Sequence, residues 1–470
     1  MGGSVKRSVL LILVVLLVGG GLAVGLTRCE GSPPRITAPA ALIVGREPRS
    51  LALEIDDDGS GLRSIRGVLV TDKGEAPVLA LDFPGSPVTG GVTRPSRERV
   101  ELSVDAKGLG LKDGDAKLRV TARDWSWRGF LAGNETTVEL PLTVDTKPPR
   151  VAIENGQTYL QRGGSGVVVY SVSEPTTRDG VDVAGRFYAG RPFGPGGDRR
   201  LAFFAIPHDV PPEPSIKVVA EDAAGNKASQ GWATHFKERV FPDVTLNLSP
   251  QFLSSKVPEL AEAKGIDATD KVAAFQAINR EGRAADEARV REIVKASADE
   301  RLWSGAFQQL RNSKVTSQFA EKRSYFVEGE KVSQATHFGY DLAVTVASPI
   351  TASNAGRVLW ADDLGIYGSC VILDHGYGVA SLYGHLSRID VKDGELVKAG
   401  QQLGLSGATG LAGGDHLHFG ILVDDTYVDP VEWWDPKWVR EKIDALIAPP
   451  QAAAAPAGPA DAATAEATPQ

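Results

Sequence analysis

His416-Leu417-His418-Phe419-Gly420 places two imidazoles at i and i+2 near the C-terminal end of the chain. On a β-strand those positions face the same way. Two imidazoles on one face, beside glycine turns, are poorly explained as core packing, and a neutral imidazole is a good zinc ligand. Two stretches upstream add to the set. His337-Phe338-Gly339-Tyr340-Asp341 brings a third imidazole and a carboxylate, and Tyr383-Gly384-His385-Leu386 brings a fourth imidazole. A catalytic zinc site takes three protein ligands and keeps a fourth position open. These motifs offer three such ligands with two histidines to spare, and a spare imidazole can move a proton or hydrogen-bond an oxyanion. The chain has 7 histidines, and five lie between 337 and 418.

From about Lys314 to Asp435 the sequence resembles the lysostaphin/LytM-type zinc metallopeptidases, which cleave peptide bonds in bacterial peptidoglycan. The family's His-x-x-x-Asp pattern is matched by His337 and Asp341, and its His-x-His pattern by His416 and His418. Gly376-Tyr377-Gly378, the run from Gly394 to Gly404, Ser406-Gly407-Ala408-Thr409-Gly410 and Tyr427-Val428-Asp429-Pro430 fall where the family has its turns and closing motif. The resemblance implies the duplicated-hybrid-motif fold, a mostly antiparallel β structure with zinc on the floor of a groove. It implies one Zn2+ per catalytic domain on His337, Asp341 and His418, with His385 and His416 as the catalytic, non-ligand histidines. One departure is Gly413-Gly414-Asp415-His416, where Gly-Pro-His is more usual; it bears on loop shape and substrate fit. His375 is read as structural and Asp429 as a support of the fold. His208 and His235 are assigned nothing.

Upstream of this region, Ser32 to Phe241 reads as short alternating strands separated by Gly, Pro, Asp and Asn. A weak repeat runs through it. Pro33-Pro34-Arg35-Ile36 recurs as Pro148-Pro149-Arg150-Val151, and Leu118 to Asp124 recurs as Ile216 to Asp222. Two copies of about 100 residues predict tandem β-sandwiches. The second resembles bacterial immunoglobulin-like modules in Ala220-Glu221-Asp222-Ala223-Ala224-Gly225-Asn226. The stretch 253–310 turns rich in Ala, Glu, Lys and Arg. There a helix capped by Thr269 is predicted to run to about Arg280, Gly282 to break it, and a second helix to run from about Ala284 to Ala298. The Ala/Pro-rich tail beyond Ala448 cannot bury a core and reads as disordered.

Val9 to Leu26 has no charge and no proline. As a helix it is about 27 Å long, enough to span a bilayer core of roughly 30 Å. Lys6 and Arg7 precede it, which places the N-terminus in the cytoplasm. A cleaved signal peptide is the alternative, with secretion as its consequence. A lipoprotein at Cys29 is disfavoured by Arg28, where a small residue is required. Cys370 reads as a buried strand position, and Cys29 and Cys370 as unpaired.

The chain has 470 residues and a net charge of −8, which argues against a nucleic-acid partner. The expected fold class is therefore mainly β. Its parts are a cytoplasmic N-terminus (1–8), a transmembrane helix (9–26), immunoglobulin-like β-sandwiches (32–146 and 147–240), a helical connector (241–310), a zinc endopeptidase domain (311–447) and a tail (448–470). The expected function is a membrane-anchored endopeptidase acting on peptidoglycan peptides in the periplasm. A cell-envelope protein is a candidate partner of the sandwiches. The main alternative is an inactive relative that binds or activates other wall hydrolases; its mark is ligand loss, which the sequence does not show. A carrier domain with similar glycine hairpins lacks the His-x-His pair, and a structural surface protein would hold metal only incidentally. If the connector covers the groove, a chain starting near Arg311 should be more active than the whole.

Overall fold

The computed structural model describes residues 2–92, 96–194 and 196–447. The tail beyond Ala448 lies outside the described residues. The chain divides into two compact units. One runs to Pro149 and includes Pro175–Thr177 and Glu221–Ala228; the other comprises Arg150–Glu174, Arg178–Ala220 and the chain from Ser229 on.

The first unit starts with a helix, Gly2–Arg28. Its described apolar side chains cover residues 9–21, about 20 Å of helix at 1.5 Å per residue. Among the described residues no helix is long and apolar enough to cross a membrane, so the expected transmembrane helix is not found there. Two sheets follow. One has the order Arg35–Thr37, Arg49–Asp57, Ser96–Val104; the other has Leu42–Val44, Glu135–Val144, Gly114–Asp124, Leu62–Thr71, Gly74–Asp82. Alternation along Arg49–Asp57 buries Leu51, Leu53, Ile55 and Asp57, with Ala52 and Glu54 exposed and Asp56 half-buried between them. Leu118, Val120 and Ala122 face the same core from the other sheet. Two sheets over one apolar core make a β-sandwich.

In the second unit, a sheet of Val151–Ile153, Ser165–Val172, Arg199–Ala205 and Arg191–Pro192 shares one continuous core with the C-terminal strands. Trp433 is the hub, with Phe203, Trp303 and Phe307 at ring-centroid distances of 6.1, 5.7 and 5.4 Å.

The helical stretch differs from its sequence reading at three points. A helix over Pro250–Lys264 precedes the two expected; Ser249 caps it and Gly265 ends it in the left-handed region at φ 65°. Pro258 inside it masks the helical signal. Asp270, not Thr269, caps the next helix, its Oδ1 accepting from the Val272 and Ala273 amides at 2.9 and 3.1 Å. Gly282 does not break the helix. Lys271–Ala277 passes through a π turn at Ile278–Gly282 straight into Arg283–Val294. The wider turn lets Ile278 and Asn279 bury together, and Asn279 Nδ2 donates to Ser333 Oγ at 2.8 Å.

The main C-terminal sheet has the order Lys314–Ser317, Tyr340–Ala343, Leu417–Val423, Val379–Leu386, Ser369–Gly376, Gly356–Asp363, Leu396–Val397. Beside it lies a smaller sheet in which Asp243–Asn247 runs parallel to Glu321–Val327, which pairs in turn with Glu330–His337. Cys370 is fully buried in its strand and both cysteines are free.

Candidate metal centre

Strand Leu417–Val423 lies between two antiparallel neighbours, so His418 sits opposite Asp341 on one side and Gly384 on the other. Directly opposed residues are the closest cross-strand neighbours. His385 follows Gly384, and His337 ends the strand Glu330–His337. Register and closeness in sequence therefore gather residues from three distant stretches, 337–341, 383–386 and 416–420.

His337 Nε2, Asp341 Oδ1 and His418 Nδ1 form a triangle with three edges of 3.0 Å. All three residues are buried. The Gln318 carbonyl, 2.9 Å from His337 Nδ1, can only accept, so Nδ1 carries the hydrogen and Nε2 turns its lone pair inward. Asp341 Oδ1 is an acceptor as well. The triangle thus holds at most one hydrogen, on His418 Nδ1, for its three converging atoms. His418 Nε2 is buried with no partner. Ligand atoms around a tetrahedral ion with bonds of roughly 2.0–2.1 Å stand roughly 3.3 Å apart, so two imidazoles and a carboxylate in this arrangement fit zinc. These three residues could hold a metal ion.

His385 and His416 lie beside the triangle with ring centroids 4.8 Å apart. Each has its Nδ1 on a carbonyl, Thr409 O and Gly414 O respectively, both at 2.8 Å. That fixes the hydrogen on Nδ1 and leaves Nε2 as the acceptor. His416 Nε2 is 3.5 Å from Asp341 Oδ1. His385 adopts φ 65°, which for a non-glycine residue marks a conformation imposed by its surroundings. Gly339 is required by close approach. A Cβ there would stand 2.6 Å from the Phe419 carbonyl and 2.7 Å from the His418 ring.

Burial alone would push the Asp341 carboxyl up, but His337, His416 and His418 hold it well below the usual range. Burial, reinforced by His416 and His418, pushes His385 well down. Burial also takes His418 down to about 4. At His416 burial acts downward, yet the Asp341 carboxylate lifts it above its ordinary value.

The cleft over these groups has one wall from Leu411–Gly413 and another from Leu246–Ser249, Phe252 and Phe275 of the helical stretch. The structure thus brings His337, Asp341, His385, His416 and His418 into one cleft. His375 is apart, with Nδ1 2.7 Å from Ala355 O and Nε2 2.7 Å from Ser381 Oγ. Asp429 caps the helix Pro430–Trp434 and pairs with Arg239. Sequence reasoning missed Arg323, whose Nη2 donates to Asp341 Oδ2 at 2.8 Å, and the wall at Leu246–Phe252. No local motif marks either one.

The chain matches the family described as Peptidase family M23 over residues 335–430. It is 36% identical over 118 residues to peptidoglycan DD-endopeptidase ShyB of Vibrio cholerae, covering 25% of this chain and 27% of that protein. It is 36% identical over 95 residues to DD-carboxypeptidase/endopeptidase Mpg of Neisseria meningitidis, covering 20% of this chain and 22% of that one. The solved catalytic domain of lysostaphin from Staphylococcus simulans is 29% identical, with 28% of this chain and 98% of that chain covered and a TM-score of 0.24. The chain spans about a quarter of the length of the curated relatives it matches. The matched residues include all five of the clustered side chains, so the C-terminal region carries a Peptidase family M23 domain, and the rest of the chain lies outside the match.

Proposed function

We propose that the protein is a zinc metallo-endopeptidase that hydrolyses peptide cross-links of bacterial peptidoglycan. The observation that carries this is the triangle of His337, Asp341 and His418 on the floor of an open cleft, with two further imidazoles beside it. The chemistry that zinc supplies when bound is polarisation of a carbonyl and a bound water whose pKa falls to about 7. The protein's own residues do the rest. His385 keeps Nε2 free while its Nδ1 is anchored, and His416, anchored in the same way, turns Nε2 toward Asp341 Oδ1 at 3.5 Å, so each can accept a proton at Nε2 or, once protonated, donate one to an oxyanion or a departing amine. Their anchoring carbonyls prevent the rings from turning away.

Two similar proteins are named as DD-endopeptidases, and we carry that bond class, a link between D-amino-acid centres, to this chain. The apolar run Val9 to Leu26 anchors the chain in the inner membrane with its bulk in the periplasm. The tandem sandwiches, of immunoglobulin-like type, act as an arm toward the wall or a partner protein. The helical stretch shapes the cleft.

The test is digestion of purified peptidoglycan by the full chain, with and without chelator, followed by mass analysis. Released peptides cut at D-amino-acid links only in the metal-loaded sample are the expected result. Intact cross-links in both samples would instead favour the inactive binding protein.

A further inference from the structure

The first β-sandwich carries a cluster unrelated to the cleft. Strand Arg49–Asp57 ends on an inward Asp57, and strand Gly114–Asp124 of the facing sheet ends on Asp124. These side chains are 2% and 0% exposed. Glu30, on the segment that leaves the helix Gly2–Arg28, completes the group. One oxygen from each of the three carboxylates lies within 4.8 Å of the others.

Ordinary hydrogen bonding accounts for part of this cluster. Asp124 Oδ1 accepts from the Asn134 and Ser126 amides at 2.6 and 2.9 Å, and Oδ2 accepts from Asn134 Nδ2 at 2.9 Å. Asn134 Nδ2 also donates to the Glu30 carbonyl at 3.2 Å. The same clip recurs in the second repeat, where Asn226 Nδ2 donates to Asp222 Oδ2 and to the Asp145 carbonyl, both at 2.8 Å. The clip is thus a structural device of the repeat. It does not explain Asp57. Asp57 Oδ2 accepts from the Gly61 amide at 2.6 Å, but Oδ1 is buried with no partner. Ser60 Oγ, in the same turn and fully buried, also has none. The Ser60 amide donates to Glu30 Oε1 at 3.2 Å, so this turn and Glu30 are in contact. The neighbouring Arg28 guanidinium donates to the carbonyls of Ser60, Ser86, Pro87 and Trp125.

Three carboxylates so close repel one another, and an unpaired buried acceptor costs about 1–3 kcal/mol. A cation removes both penalties. The donors are oxygens only, which selects a hard ion, and carboxylates brought from three separate segments suit the flexible shell of calcium better than the strict octahedron of magnesium. We propose that Glu30, Asp57 and Asp124 bind a calcium ion at this end of the first sandwich. The ion ties the segment leaving the helix to both sheets. Charge behaviour agrees. Burial first, then Asp124 and Glu30, push the Asp57 carboxyl up to about 6, and burial pushes Asp124 up as well.

The test uses the zinc-loaded full chain. Calcium is titrated by calorimetry, and terbium is titrated by luminescence sensitised through Trp125, the residue after Asp124. Saturable binding of one ion with Kd near 10⁻⁴–10⁻³ M, the order found in extracellular modules, is expected, together with a rise in Tm. Asp57→Asn should weaken binding at least about tenfold and leave peptidoglycan hydrolysis unchanged. Glu30→Gln serves if Asp57→Asn does not fold. No saturable binding up to about 10 mM, or equal affinity in a folded variant, overturns the proposal. So does a Tm that rises only on acidification and ignores calcium, because a proton would then be what settles the cluster.

Discussion

Arg323 Nη2 holds Asp341 by Oδ2 at 2.8 Å, leaving Oδ1 to face His337 and His418 at 3.0 Å each. Arg323 Nε also reaches Glu321 Oε2 at 3.4 Å; Glu321 Oε1 accepts from the Gln318 amide at 2.7 Å, and the Gln318 carbonyl orients His337. One half-buried guanidinium therefore sets the aim of a carboxylate and, through two residues, of an imidazole. Partners that orient ligands are worth about 10–100-fold in metal affinity. Arg323→Met should lower zinc affinity by that factor in a chelator competition. Unchanged affinity would show that Asp341 is held without it.

Removing a ligand differs from removing a proton carrier. His418→Ala and Asp341→Ala should lose both zinc and hydrolysis. His385→Ala should keep zinc at full stoichiometry and lose turnover by about 10²–10⁴-fold. Zinc content and rate measured on the same preparations separate the two classes, and a ligand variant with full zinc would refute the assignment.

Gly339 is where backbone spacing meets the site. The added methyl of Gly339→Ala must push on the Phe419 carbonyl or the His418 ring. A destabilisation of about 1–3 kcal/mol is expected, together with weaker zinc binding. Thermal melts and metal titration check both; a variant with the Tm and zinc affinity of the parent would mean the strands part easily.

Glu432 gives a pH signature remote from the metal. Burial pushes its carboxyl from 4.5 to about 8, against hydrogen bonds from Ser165. The folded state therefore binds the proton more tightly than the unfolded one. This destabilising term is absent below pH about 4.5 and grows as pH rises toward 8, at up to about 1.4 kcal/mol per pH unit. Glu432→Gln should flatten the fall in Tm between pH 5 and 8. An equal slope in parent and variant would remove Glu432 as its source.

The site was legible in the sequence because its chemistry sits in short motifs. His337 and Asp341 are four apart, His416 and His418 two apart, and strand register does the remaining assembly. Residues that act across the fold were not legible. Arg323 is an ordinary charged residue of an alternating strand until Asp341 is placed beside it. Asp57 is one aspartate of the run Asp56-Asp57-Asp58-Gly59 until the facing sheet and Glu30 are placed beside it. Gly282 was misread because a π turn is stabilised by what it buries, Ile278 and Asn279, and not by local propensity. The strand Asp243–Asn247 was invisible for a related reason: its partner Glu321–Val327 lies beyond the whole helical stretch, and tertiary context decides such pairings.

That strand has a practical consequence. Excising the catalytic region at Arg311 removes Asp243–Asn247 and leaves Glu321–Val327 with a bare edge of unpaired amides and carbonyls. Such edges recruit other chains. A fragment cut there should therefore self-associate in light scattering, and any change in its activity would confound an opened cleft with aggregation. A cut before Asp243 keeps the edge covered, so the unit that folds around residues 335–430 begins well upstream of them.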